Sequence, residues 1–172
     1  MGPVFKHQGA AVTMARITIL NGPNLNLLGT REPEIYGTTT LAAIEKSCRS
    51  FADDLKIDLT FQQSNHEGVI VDWVQEAGLE ADALIINPAG LSFRSIPLID
   101  ALKTVKGPVV ELHVSNIHSR DELHRHSIVS SVADAVVCGL GAYGYIVALQ
   151  AAARLIDAIP AGFAEPVRVG PV

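Results

Sequence analysis

Five short apolar runs, each separated from the next by a stretch of helical spacing, constrain this chain more than any other feature. Arg16–Leu20, Asp58–Gln62, Ala83–Ile86, Val109–Val114 and Ala135–Cys138 read as strands. Leu41–Leu55, Val69–Leu79, Ile96–Lys103 and Tyr143–Ile159 place apolar residues at helical intervals. Ser119–Ser131 carries a shorter, more polar helical pattern. Strands that are apolar on both faces and alternate with helices require a parallel sheet covered on both sides. Five of them fit a flavodoxin-like, doubly wound α/β fold with strand order 2-1-3-4-5.

The 172 residues correspond to one domain, and a chain of this size buries roughly 70% of its unfolded surface without needing a disulfide or structural metal. We expect that domain over 14–159, with 1–13 an extension or tag and 160–172 a loose tail. A net charge of −5 argues against nucleic acid as a partner. A hydrophobic content of 48% with 18% charged residues excludes a disordered chain. The apolar stretch from Gly139 to Ile159 is broken by Gln150, Arg154 and Asp157, so it reads as a buried helix and not a membrane span. Cys48 and Cys138 form neither a disulfide framework nor a metal-ligand pattern, which argues for a reducing, cytoplasmic setting.

In such a fold ligands bind beyond the C-terminal ends of the strands. The loops there hold five of the six histidines, counting His113 at the end of the fourth strand. The first, NGPNLNLLGTREPEIYGTTT, is far longer than the ordinary βα turn of about 2–6 residues, as a functional lid would be. It carries Arg31 and Tyr36. A phenol with a reference pKa of about 10 becomes a base near neutrality only beside a cation, which an arginine supplies without losing its own proton. The same pair also fits a loop anchor and a solvated charge. Asn21, Asn24 and Asn26 suit either fixing an oxygen or ordered water, or simply turning the chain. The loop lacks a dinucleotide or nucleotide-triphosphate fingerprint.

Glu111 and His113 lie two apart on one strand and therefore share a face. A carboxylate there sets the imidazole's tautomer, as a general acid requires, although a satisfied buried histidine has the same spacing. His113, His118, His124 and His126 do not make a convincing metal set, because the last two diverge on a helix. No nucleophile elbow is present.

The run ITILNGPNLNLLGTREPEIYG, followed in order by QSNHEG, NPAGL, VELHVSNIHSRDE and GLGAYGY, resembles type II 3-dehydroquinate dehydratase from about Arg16 to Ile159. The resemblance implies a flavodoxin-like fold, trimers assembled into a dodecamer, and elimination of water from 3-dehydroquinate to give 3-dehydroshikimate. It also implies no cofactor, metal or Schiff base, and a role in shikimate or quinate metabolism. By the same resemblance Tyr36 is the base that removes the proton α to the ketone, and Arg31 keeps it anionic. Asn24 holds a water on the enolate oxygen, and His113, oriented by Glu111, protonates the departing hydroxyl. Asn87 helps position His113 and that hydroxyl, the amides around Val114 and Ser115 grip the carboxylate, and Asp100 reaches the adjacent subunit's site.

Two positions depart from the family pattern. Phe93 stands where the family's third loop has a histidine, and His124 where it has an arginine. Both missing groups normally contact hydroxyls on the substrate edge opposite the carboxylate. Three readings follow: Arg94 and Arg125, each one position later, supply the lost donors; the enzyme acts on a related cyclic hydroxy-ketone acid; or the chain is a non-catalytic ligand-binding paralogue.

Overall fold

A computed structural model describes residues 14–30 and 38–163. The strands are β1 (Ala15–Asn21), β2 (Ile57–Gln63), β3 (Ala83–Asn87), β4 (Val109–His113) and β5 (Ala135–Cys138). The α-helices are α1 (Leu41–Leu55), α2 (Glu67–Glu80), α3 (Ile96–Leu102) and α4 (Tyr143–Leu155). Every strand pair is parallel, and the sheet order is β2-β1-β3-β4-β5, as expected.

The two-residue period of each strand divides its side chains between two apolar layers. Ile17, Ile19, Ile85, Val110 and Leu112 meet Ile44, Cys48 and Leu55 of α1 and Ala148 and Leu149 of α4. Leu20, Leu84, Ile86 and Val109 meet Ile70 and Val74 of α2 and Leu98 and Leu102 of α3. Each fully buried Leu, Ile or Val contributes on the order of 1.5–3 kcal/mol. On β4 that second face continues as Glu111 and His113, which are 0% and 4% exposed. Glu111 thus stands in register with apolar Ile86 of β3, and His113 follows it beyond the last β3 pair.

Local signals fix the helix ends. Thr40 caps α1 by accepting from the Ala43 amide at 3.2 Å, and Ser95 caps α3 by accepting from Leu98 at 3.1 Å. α4 ends at Leu155, short of the expected Ile159, because Asp157 takes a left-handed conformation with φ 54° and Pro160 follows. Packing continues beyond the helix, and Phe163 meets Phe51 edge-on with centroids 6.0 Å apart. The polar segment 119–131 is not an α-helix. It holds short 3-10 turns at Ile117–Ser119 and Val129–Ser131. Its polar groups find local and long-range partners instead: Asp121 accepts from Leu123 and His124, and the Ile128 amide donates to Ser92 O at 2.8 Å.

The C-terminal ends of β1 and β3 approach closely. The Gly22 amide donates to Asn87 O at 2.8 Å, and a Cβ on Gly22 would lie 2.4 Å from Pro88 O. Only glycine permits this approach, which brings the first and third loops together at the switch point. Among the described residues no helix is long and apolar enough to cross a membrane.

Candidate active site

A cavity of about 200 Å³ opens at that edge of the sheet, between the loops that follow β1, β3 and β4. Besides the aromatic position of the third loop, its lining includes six residues read from the sequence as site residues: Asn24, Asn87, His113, Val114, Ser115 and His124. Phe93 joins them.

The first wall begins where Asn24 adopts a left-handed conformation with φ 67° and opens a 3-10 turn at Leu25–Leu27. Its amide donates to Asn65 Oδ1 at 2.8 Å. Gln63 Nε2 donates to the same oxygen at 3.0 Å and to Gly22 O at 3.3 Å, so the loop after β2 holds the loop after β1 in place. The asparagines thus combine the turn role with a position on the cavity wall.

Asn87 is held from behind. Its Nδ2 donates to the Tyr145 hydroxyl at 3.0 Å, and that hydroxyl donates to Asn21 Oδ1 at 2.7 Å. Asn21 Nδ2 in turn donates to Gln62 O at 3.0 Å. Tyr145 is fully buried, and burial pushes its phenol well above the usual range. It serves as a fixed hydrogen-bonding post and is unsuited to act as a base. Burial likewise pushes the Cys48 thiol up to about 12, leaving it unreactive.

His113 Nε2 donates to Glu111 Oε1 at 2.7 Å. Ser127 Oγ donates to that same oxygen and Ser130 Oγ to Glu111 Oε2. Burial pushes the Glu111 carboxyl up, but the hydrogen bonds from His113, Ser127 and Ser130 outweigh it, so the group lies below its ordinary value of 4.5. Glu111 is therefore an anion that fixes the proton on His113 Nε2. The other ring nitrogen, Nδ1, has no hydrogen-bond partner among the described residues, and His113 lines the cavity. A depressed folded-state pKa gives stability that is present above the unfolded value and lost as pH falls through the folded one. We expect the thermal midpoint to drop as pH is lowered below about 4.5, and Glu111→Gln to flatten that dependence in a melt series across pH.

The opposite wall joins the two departing positions. The Phe93 and His124 rings meet edge to face, with centroids 5.4 Å apart and planes at 88°. His124 Nδ1 lies 2.8 Å from both carboxylate oxygens of Asp121. The hydrogen bond from His124 is the main cause holding the Asp121 carboxyl below the ordinary range.

Arg94, Arg125 and Asp100 are exposed and do not line this chain's cavity. Arg125 pairs with Glu122, and Asp100 accepts from Lys103 Nζ at 3.2 Å. Arg31 and Tyr36 lie outside the described residues. Sequence reasoning missed Arg120, which lines the cavity, together with Ser127, Ser130 and Tyr145. The place of Arg120 in the loop after β4 was the available signal for it.

Residues 15–153 match the family described as dehydroquinase class II. The chain is 52% identical over 135 residues to 3-dehydroquinate dehydratase 1 of Agrobacterium fabrum, covering 78% of this chain and 93% of that protein. It is 53% identical over 142 residues to 3-dehydroquinate dehydratase of Caulobacter sp. strain K31, covering 83% and 97%. Its fold is similar to the crystal structure of type II dehydroquinase from Propionibacterium acnes, with a TM-score of 0.79 and 37% identity over 83% of this chain and 99% of that one. With the 2-1-3-4-5 sheet and the carboxylate–imidazole couple at its edge, these matches make the chain a member of the type II dehydroquinase family.

Proposed function

We propose that this protein is a hydro-lyase that eliminates water from 3-dehydroquinate through an enolate. The observation that carries the reading is the buried Glu111–His113 couple, at 2.7 Å, opening onto a cavity at the switch point. The relatives named 3-dehydroquinate dehydratase at 52% and 53% identity support it over an altered substrate or a non-catalytic paralogue.

Tyr36, kept anionic by Arg31, takes the proton α to the ketone, and the C–H electrons move into the enolate. Asn24 steadies a water against the developing oxygen charge, where a preorganised donor lowers the barrier. The enolate electrons then expel the β-hydroxyl, which leaves as water with the proton that the imidazolium form of His113 carries on Nδ1, while Nε2 keeps its own toward Glu111, since hydroxide alone is a poor leaving group. Tyr36 gives its proton to solvent and His113 regains one from it. Asn87 stands beside the leaving hydroxyl, and the backbone at Val114 and Ser115 holds the carboxylate. Neither cofactor nor metal takes part.

Asp100 is exposed on α3, away from its own cavity. In trimers assembling to a dodecamer it completes a neighbouring site. Free Cys48 and Cys138 accord with a cytoplasmic protein. The test of the activity is the ultraviolet absorbance of the conjugated enone when the purified chain is given 3-dehydroquinate beside a panel of ring analogues. Enone from 3-dehydroquinate at catalytic rates supports the reading; none from it, or faster reaction with an analogue, contradicts it.

The Phe93–His124 contact adds a prediction about affinity. An aromatic edge offers a ring hydroxyl fewer donors than a histidine and an arginine would, and Arg94 and Arg125 do not reach the cavity. Losing a charged donor costs about 1.5–3 kcal/mol. Phe93→His combined with His124→Arg is expected to lower KM for 3-dehydroquinate by about tenfold with little change in kcat, while Arg94→Ala leaves kcat/KM unaltered. No gain in the double variant, or a large loss on removing Arg94, would show that the exposed arginines compensate.

A further inference from the structure

The second face of β4 raises a question that the His113 chemistry alone leaves open. Glu111 is fully buried between Ile86 of β3 and Val136 of β5, its partners in register. A lone imidazole engages only one of its two oxygens. The terminal torsion of a glutamate is broad, so one bond to Oε1 would leave the carboxylate free to rotate and His113 free to follow it.

Two hydroxyls from a distant turn prevent that rotation. Ser127 Oγ donates to Oε1 beside His113 Nε2, and Ser130 Oγ donates to Oε2. The turn is itself anchored: Val129, between the two serines, is 0% exposed in the apolar layer shared with α2 and α3. The Ile128 amide donates to Ser92 O at 2.8 Å, tying the turn to the loop that carries Phe93. Donors therefore arrive at both carboxylate oxygens from an element rigidly joined to the cavity wall.

We propose that Ser127 and Ser130 are positioning residues for the acid step, holding Glu111 in the one plane that aims His113 at the leaving hydroxyl. This rests on the dehydratase reading. The serines touch no substrate; they act through Glu111. A pair of hydroxyls that only filled space or satisfied a buried charge would affect folding, whereas a pair that aims the acid affects the rate of the step in which the hydroxyl departs.

The experiment measures kcat and KM on 3-dehydroquinate, with thermal melts, for the full chain and for Ser127→Ala, Ser130→Ala, Ser130→Cys and Ser130→Thr. Cysteine fills the serine's space but is a weak donor, and threonine keeps the hydroxyl. The expected result is a fall in kcat of about tenfold in each alanine variant with KM within about two-fold. Ser130→Cys should behave like the alanine variant and Ser130→Thr should recover most of the rate. Should an alanine variant fail to fold, the cysteine and threonine pair decides. An active wild type whose serine variants keep its kcat, or raise KM at constant kcat, overturns the inference alone. So does a Ser130→Cys enzyme as fast as wild type. A wild type that makes no enone overturns the dehydratase reading, and this inference falls with it.

Discussion

Replacing His113 by glutamine is expected to lower kcat on 3-dehydroquinate by about 10²–10⁴-fold, the usual worth of a positioned general acid. Glutamine keeps a side-chain amide near Glu111 but has no proton to give at neutral pH. Nearly all of the loss should fall on kcat, because the proton is needed only when the C–O bond breaks. The carboxylate of Glu111, left without an imidazole partner at 0% exposure, retains Ser127 and Ser130 as donors. The variant should therefore fold, with a thermal midpoint below that of wild type. Steady-state kinetics with a parallel melt checks both parts, and a glutamine variant within about tenfold of wild-type kcat would remove His113 from the acid role.

Tyr36→Phe is expected to abolish turnover while leaving ligand binding nearly intact. The change removes one oxygen, the one to which the proposed mechanism assigns the proton, and little volume. Among the described residues Tyr145 is not suited to replace it, being fully buried and bonded to Asn21 and Asn87, with burial pushing its phenol upward. Loss of a general base costs about 10²–10⁴-fold. Calorimetric titration with a non-reacting carboxylate analogue would show binding preserved. An active Tyr36→Phe enzyme would require a different base.

What the chain discloses before it folds depends on the range of the interaction concerned. The five strands were legible because Val- and Ile-rich runs record burial on both faces, a local property of each segment. Glu111 and His113 were legible for the same reason, since spacing of two on a strand puts both on one face. Ser127 and Ser130 were hidden because they reach Glu111 across 16 and 19 residues, inside a segment whose polar spacing imitates a weak helix. Tyr145 was more remote, lying 58 residues from Asn87 and 124 from Asn21, within a helix whose apolar pattern explained it without any hydrogen bond. Phe93 and His124 were singled out separately by resemblance, but only the fold puts their rings in contact. Arg94 and Arg125, adjacent to them in sequence, project elsewhere because neighbouring residues in a turn do not share a direction.

The central claim is that a base forms an enolate and a separate acid, His113, then expels the hydroxyl. Proton exchange in deuterium oxide tests it directly, by following the hydrogen α to the ketone of 3-dehydroquinate with nuclear magnetic resonance. The account predicts that His113→Gln exchanges this hydrogen faster than it forms enone, because the enolate is made but cannot eliminate, and that Tyr36→Phe does neither. Exchange by Tyr36→Phe at the rate of the His113 variant, or no exchange by a His113→Gln enzyme that still binds the substrate, would contradict it.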